Sequence, residues 1–251
     1  MIKQLVEQLN NLSENYGVIG IKQSFEDEGV SVDDVIAVRR LTDICNIKSF
    51  VKIGGCEAKS DVFNCVKIGV NCVIAPMVET KFALSKFINI MSPHKEHVDS
   101  YIVIESKTAY ENIDEILNYG KDKLKGIVVG RSDFSKSYDM TKDYVDSDFI
   151  YEKVENILNK SKQIGLPTTM GGSISVKSVE FIKRMYQQKL LNKIETRNVV
   201  MELNNYTVPQ IDECIKNALA FEIEWLKYKH KISTLTSEDY SNRITLLANR
   251  C

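Results

Sequence analysis

From residue 17 onward this chain alternates short apolar runs with longer amphipathic segments, and few folds accept that rhythm. The runs include Gly17-Val18-Ile19-Gly20-Ile21-Lys22, Phe50-Val51-Lys52-Ile53-Gly54-Gly55, Cys72-Val73-Ile74-Ala75, Tyr101-Ile102-Val103-Ile104 and Gly126-Ile127-Val128-Val129-Gly130. They are short and nearly continuous in apolar character, so they read as parallel strands buried on both faces. Thr168-Thr169-Met170-Gly171 and the region 193–203 complete the series. The intervening segments carry helix punctuation. Ser31 suits an N-cap before a helix over residues 32–45, with Asp33 and Asp34 in the first turn, where the helix dipole favours acids. Gly69 is placed to end a helix over residues 58–68, and Ser92-Pro93-His94 breaks one over residues 80–91.

A repeat of this kind closes most naturally into an α/β fold of the (β/α)8 TIM type. Seven strands can be read, not eight. The first barrel strand is then atypical or missing, replaced by the N-terminal amphipathic helix, or hidden in a split of region 193–203. An open doubly wound sheet is the competing layout, but it would usually place a glycine-rich phosphate loop after strand one, and none is present. With no linker or composition break, residues 1–207 are expected to form one barrel domain. Residues 208–251 would form a C-terminal helical extension, with Pro209 in the first turn of a helix reaching about residue 231. A second short helix is expected over residues 237–251. Phe221, Ile223, Trp225, Leu226 and Tyr228 could pack as core against the barrel, whereas the helix over residues 237–251 has little room left on a closed barrel and is expected to contact a neighbouring subunit, which makes a homo-oligomer the expected assembly.

Composition narrows the function classes. The 251 residues carry a formal net charge of −1, with 43% hydrophobic and 27% charged residues. No basic excess calls for nucleic acid or a membrane surface. The N-terminal segment lacks the long apolar core of an export signal, so a cytoplasmic location is expected. The six cysteines, Cys45, Cys56, Cys65, Cys72, Cys214 and Cys251, form no CxxC pair, and free buried thiols are the expected state. Cys56 stands out because it follows Gly54-Gly55 at a strand end.

The chemistry gathers at the strand ends. Glu105 follows the run ending at Ile104, and Asp133 follows Gly130-Arg131-Ser132. Carboxylates at the C-terminal ends of neighbouring parallel strands face the crevice where barrels place their sites. Two hard oxygen ligands with room for water and a substrate oxyanion suit Mg²⁺ or Mn²⁺.

Several stretches follow one another in a telling order: Val51-Lys52-Ile53-Gly54-Gly55, Asn71-Cys72-Val73-Ile74-Ala75-Pro76-Met77-Val78-Glu79, Ile104-Glu105-Ser106, and Gly126-Ile127-Val128-Val129-Gly130-Arg131-Ser132-Asp133-Phe134-Ser135. Together, over about residues 17–172, the chain resembles the HpcH/HpaI aldolase and citrate lyase β-subunit family. The resemblance implies a phosphoenolpyruvate/pyruvate-type barrel. Its activity would be a divalent-metal-dependent carbon–carbon lyase or aldolase reaction on a small 2-oxo acid or a related acyl thioester, through an enolate. Glu105 and Asp133 would be the metal ligands. Gly130, Arg131, Ser132 and Pro76 would bind the substrate, its carboxylate meeting backbone N–H groups around Arg131, Ser132 and Asp133.

The chain departs from that pattern twice. Lys52 stands where the family usually has an arginine; it supplies charge without a planar two-pronged contact. The histidine that the aldolase branch uses as acid/base is absent, and His94, His97 and His230 lie at no predicted strand end. Glu26 or Glu28 could take the acid/base role, or both could belong to a solvated acidic loop. Arg197 could bind a distal anion or close the barrel with a salt bridge. Gly171-Gly172-Ser173 could cradle an anion or form a plain turn. The alternative to an enzyme is a catalytically silent barrel used for binding or assembly.

Overall fold

The computed structural model describes residues 2–248. An N-terminal helix, α1 (Ile2–Tyr16), leads into β1 (Val18–Ser24) and then a single-turn helix, α2 (Phe25–Glu28). The chain continues through α3 (Val32–Ile44), β2 (Lys48–Lys52), α4 (Lys59–Ile68), β3 (Cys72–Ala75), α5 (Lys81–Met91) and β4 (Asp99–Ile104). Next come α6 (Lys107–Glu111), α7 (Ile113–Gly120), β5 (Gly126–Gly130), α8 (Arg131–Lys136), α9 (Asp148–Gln163), β6 (Thr168–Gly171) and α10 (Val179–Gln187). The last elements are β7 (Lys193–Glu195), β8 (Val199–Glu202) and α11 (Ile211–Ala248).

The strands form a closed barrel in the order β1-β2-β3-β4-β5-β6-β7-β8. From β1 to β7 every neighbouring pair is parallel. The eighth stave is the exception. β8 pairs antiparallel with both β7 and β1, through Glu195↔Val200 and Ile21↔Val199 among others. The region 193–203 is thus a split segment, a tight hairpin of two strands, and the all-parallel expectation is corrected at this stave. A three-residue turn cannot lift the chain back to the bottom of the barrel, so the eighth strand has to run downward. The first strand is present as β1.

Local chemistry explains the elements. The Ser31 side chain accepts the Asp34 N–H while Asp34 accepts the Ser31 N–H, a complete capping box on α3. Gly69 ends α4 with φ +80°, a conformation that favours glycine. Leu5, Leu9 and Leu12 on α1 are buried, as are Ile211, Cys214, Ile215, Ala218, Phe221 and Trp225 on α11, and the two helices pack together over the barrel wall. α11 runs unbroken for 38 residues, so the expected second helix over residues 237–251 is not separate where the chain is described. Beyond Trp225, Tyr228 still packs half-buried against Trp225, while Leu226, Ile232, Leu235 and Tyr240 are exposed. No described helix is long and apolar enough to cross a membrane.

Among the described residues Cys45, Cys56, Cys65, Cys72 and Cys214 are free; Cys251 lies outside them. Burial pushes the Cys56 thiol up to about 11, so it stays protonated near neutral pH, and its Sγ faces the Pro76 carbonyl.

Candidate active site

The barrel interior is stratified. A small apolar cluster of Phe50, Cys72, Ile74, Tyr101, Val103, Val128 and Val200 fills its lower part. At the C-terminal ends of the strands, charged residues and glycines replace it. Lys22 comes from β1, Lys52 from β2, Glu105 from the end of β4, and Glu195 from β7. All four line a cleft of about 340 Å³ with Ser24, Asp27, Glu28, Gly130, Ser132, Asp133, Gly172, Ser173, Thr196, Arg197 and Glu222.

Two glycines make room for the two inward glutamates. Gly130 and Gly171 are register partners on β5 and β6. A Cβ on Gly130 would stand 2.8 Å from Glu105 Oε2, and one on Gly171 would stand 2.9 Å from Glu195 Oε1. Each glutamate therefore lies over the bare backbone of an adjacent strand, Glu105 over β5 and Glu195 over β6.

Glu105 is 4% exposed. Its Oε1 accepts the Met77 backbone N–H at 2.9 Å. Met77 sits at φ +52°, a strained conformation for a side chain of this size. Burial raises the Glu105 pKa above the usual carboxylate value, helped by Asp133 and Asp27 and opposed by Lys52 and the Met77 amide. Lys52 shows the reverse balance. Burial works against its charge, but a bond to Asp27 and the nearby carboxylates of Glu105, Asp27 and Asp133 prevail, and its ammonium is held above the ordinary lysine value. Asp27 is correspondingly held below the usual range: its burial is outweighed by Lys52, Arg197 and Lys22. Asp133 lies across the cleft wall, with Lys136 Nζ 2.8 Å from its Oδ1.

The hairpin turn between β7 and β8 forms one side of the mouth. Glu222 of α11 fixes it from behind, accepting the Thr196 hydroxyl and the Asn198 N–H at 2.6 Å each. Arg197 reaches Glu28 Oε1 at 3.2 Å and the Asp27 carbonyl at 2.9 Å. Asn198 Nδ2 donates to Glu28 Oε1 at 2.8 Å.

Of the residues expected from sequence, Lys52, Glu105, Gly130, Ser132 and Asp133 share this cleft. Three do not. Arg131 is fully buried, and its guanidinium is spent on Gly171 O, Gly172 O, Val145 O, Asp146 and Ser178. With every N–H engaged below the rim, it cannot bind a substrate anion and instead ties the loops after β5 and β6 together. Pro76 is buried outside the cleft; the residue that serves the site from that strand end is Met77, through its amide. Glu26 is exposed and leans toward Gly54, so the acidic groups that α2 brings to the cleft are Asp27 and Glu28. Sequence reasoning assigned no role to Lys22 or Glu195. The available signal was a charged residue inside an otherwise apolar strand, which must find a partner when buried.

Six carboxylates line the cleft against three cationic side chains, an excess that suits a cation. Among the described residues no three His, Cys, Asp or Glu side chains converge as a ready-made metal cage. The fit is therefore to an ion with mixed coordination: Glu105 and Asp133 as hard oxygen donors, with water and substrate in the other positions, as Mg²⁺ commonly accepts.

Fold and site together define a TIM-type α/β barrel with an acid-rich cleft at its C-terminal rim. The profile of the HpcH/HpaI aldolase/citrate lyase family matches residues 45–170, half of the chain, and the chain belongs to that family. Solved structures agree in fold. An HpcH/HpaI aldolase/citrate lyase family protein from Burkholderia cenocepacia J2315 superposes with a TM-score of 0.64 at 13% identity, over 78% of this chain and 83% of that one. An HpcH/HpaI aldolase from Desulfitobacterium hafniense DCB-2 gives 0.58 at 12% identity, over 74% and 88%. A variant of the citrate synthase SbnG gives 0.59 at 15% identity, over 85% and 97%. A search of curated proteins finds no significant match.

Proposed function

We propose that this protein is a divalent-metal-dependent carbon–carbon lyase or aldolase acting on a small 2-oxo acid, pyruvate- or oxaloacetate-like, or on a related acyl thioester. The observation that carries the reading is Glu105, a buried carboxylate set against a charged lysine in an acid-rich cleft at the catalytic end of the barrel. Glu105 and Asp133 would hold Mg²⁺ or Mn²⁺, which supplies Lewis-acid stabilisation for an enolate when bound. Lys52 sets a permanent positive charge beside the place where the oxo group becomes anionic. Asp27 keeps that ammonium oriented. The Ser132 and Ser173 hydroxyls, 2.8 Å apart, offer hydrogen bonds to the substrate from the opposite wall. Free thiols on the described residues fit a reducing compartment, and we place the enzyme in the cytoplasm.

The test pairs binding with turnover. Calorimetry with Mg²⁺ or Mn²⁺, and cleavage assays on oxaloacetate and 4-hydroxy-2-oxo acids, are run on the wild type and on Glu105→Gln. Losing one of two charged ligands should weaken ion binding by about tenfold or more and remove turnover. Unchanged ion affinity in the variant would overturn the assignment.

A further inference from the structure

The cleft holds a buried charged pair to which the lyase reading gives no task. Lys22 Nζ donates to Glu195 Oε1, with side-chain exposures of 14% and 7%. Neither side chain has another hydrogen-bond partner among the described residues. We infer that Lys22 and Glu195 form the acid–base pair of the cleft, in place of the histidine the chain lacks.

β7 and β1 flank β8, and β8 lies across the barrel from β4. The pair therefore stands on the far wall from Glu105, with the cleft between them. It meets above Val200, the inward residue of β8, where the downward strand leaves no side chain to separate the two. A substrate held at Glu105 and Asp133 extends toward this wall.

The other polar groups of the cleft are committed. Asp27 is bonded to Lys52. Glu28 accepts from Arg197 and Asn198, and Glu222 from Thr196 and Asn198. Glu105 is anchored by Met77, and Asp133 is shared with Lys136. Lys52 is ringed by carboxylates that hold its proton. Among the ion pairs described in the cleft, only Lys22–Glu195 has both partners buried, at 14% and 7% side-chain exposure, whereas Asp27, Asp133 and Arg197 of the other pairs are 53%, 46% and 61% exposed; a proton can pass along its single hydrogen bond.

This inference rests on the lyase reading and completes it. For a 4-hydroxy-2-oxo acid, Glu195 takes the proton of the C4 hydroxyl. The C3–C4 bond breaks, C4 leaves as a carbonyl, and the bonding electrons remain as the enolate of the 2-oxo fragment. Lys22 then gives a proton to C3, and the proton on Glu195 returns to Lys22. The pair ends as it began, and no oxidant or reductant enters.

The experiment follows exchange of pyruvate methyl protons into D2O by NMR, with Mg²⁺ or Mn²⁺. It compares the wild type with the double variant Lys22→Met, Glu195→Gln, because removing one member alone would strand a buried charge. Melting temperature and oxalate binding are measured alongside. The expected result is a loss of exchange of about a hundredfold, with oxalate affinity and melting temperature kept. Lys22→Arg, which keeps the charge but does not release a proton, should show the same loss and serves if the double variant fails to fold. Exchange within about threefold of wild type, or oxalate binding lost in step with exchange, overturns the inference while leaving the lyase reading intact. A wild type that exchanges no 2-oxo acid under any condition overturns both.

Discussion

Gly130 and Gly171 act through the side chains they lack. A methyl group on Gly130 would press on Glu105 Oε2 and Cβ, at 2.8 and 3.0 Å, and on Val103 Cγ1 at 3.1 Å. Gly130→Ala should therefore cost about 1–3 kcal/mol, read as a lower denaturation midpoint, and should weaken ion binding because Glu105 is displaced. Glu105 also sets a pH dependence. Its folded pKa is raised above the unfolded value, so between those two values the native state binds the extra proton. Unliganded stability should rise as pH falls through that window, and Glu105→Gln should flatten the rise in denaturation curves taken across it. Ion affinity should run the other way and decline on acidification, because the ligand is the charged form. Glu105 was legible because it directly follows an apolar run, and Asp133 because it stands a few residues past the end of another. Side-chain direction was not. Glu26 and Asp27 are neighbours on one helical turn, so they point about 100° apart, and the sequence does not say which faces inward. Arg131 adjoins Asp133 in sequence, yet its guanidinium turns down into a ring of carbonyls that only the fold assembles.

The β7–β8 hairpin is the element that most distinguishes this barrel. The first six upward strands were readable because each is a short, mostly apolar run between helical segments, and region 193–203 was legible only as one undivided strand region. The eighth strand was not separately readable, because region 193–203 contains two very short runs with a polar turn between them, and strand direction leaves no mark in a pattern of hydrophobicity. Its stability depends on α11. Glu222→Ala would leave the buried Asn198 N–H without its acceptor and the Thr196 hydroxyl with only the longer bond to the Val199 carbonyl, at a cost of about 1–3 kcal/mol. Hydrogen exchange should then report faster opening at Thr196 and Asn198, while the amides of β4 and β5 keep their protection.

At the scale of the molecule, α11 has two parts. Its buried side chains end at Trp225, and from Ile232 onward those described are exposed. A chain truncated before Ile232 should keep its barrel, with a melting temperature within a few degrees of the full chain. We propose that the exposed Ile232, Leu235 and Tyr240 carry the self-association expected from the sequence, so light scattering should show the truncated chain at lower mass than the full one. Equal masses would assign the assembly to another surface.

Closure of the barrel joins distant parts of the chain: Lys22 and Glu195 lie 173 residues apart. A ribosome making this protein exposes β1 well before its last partner, β8. Until then one flank of the nascent sheet stays unzipped, and no half-made chain can carry out proton transfer. Competence for that step arrives only with the strand that turns back.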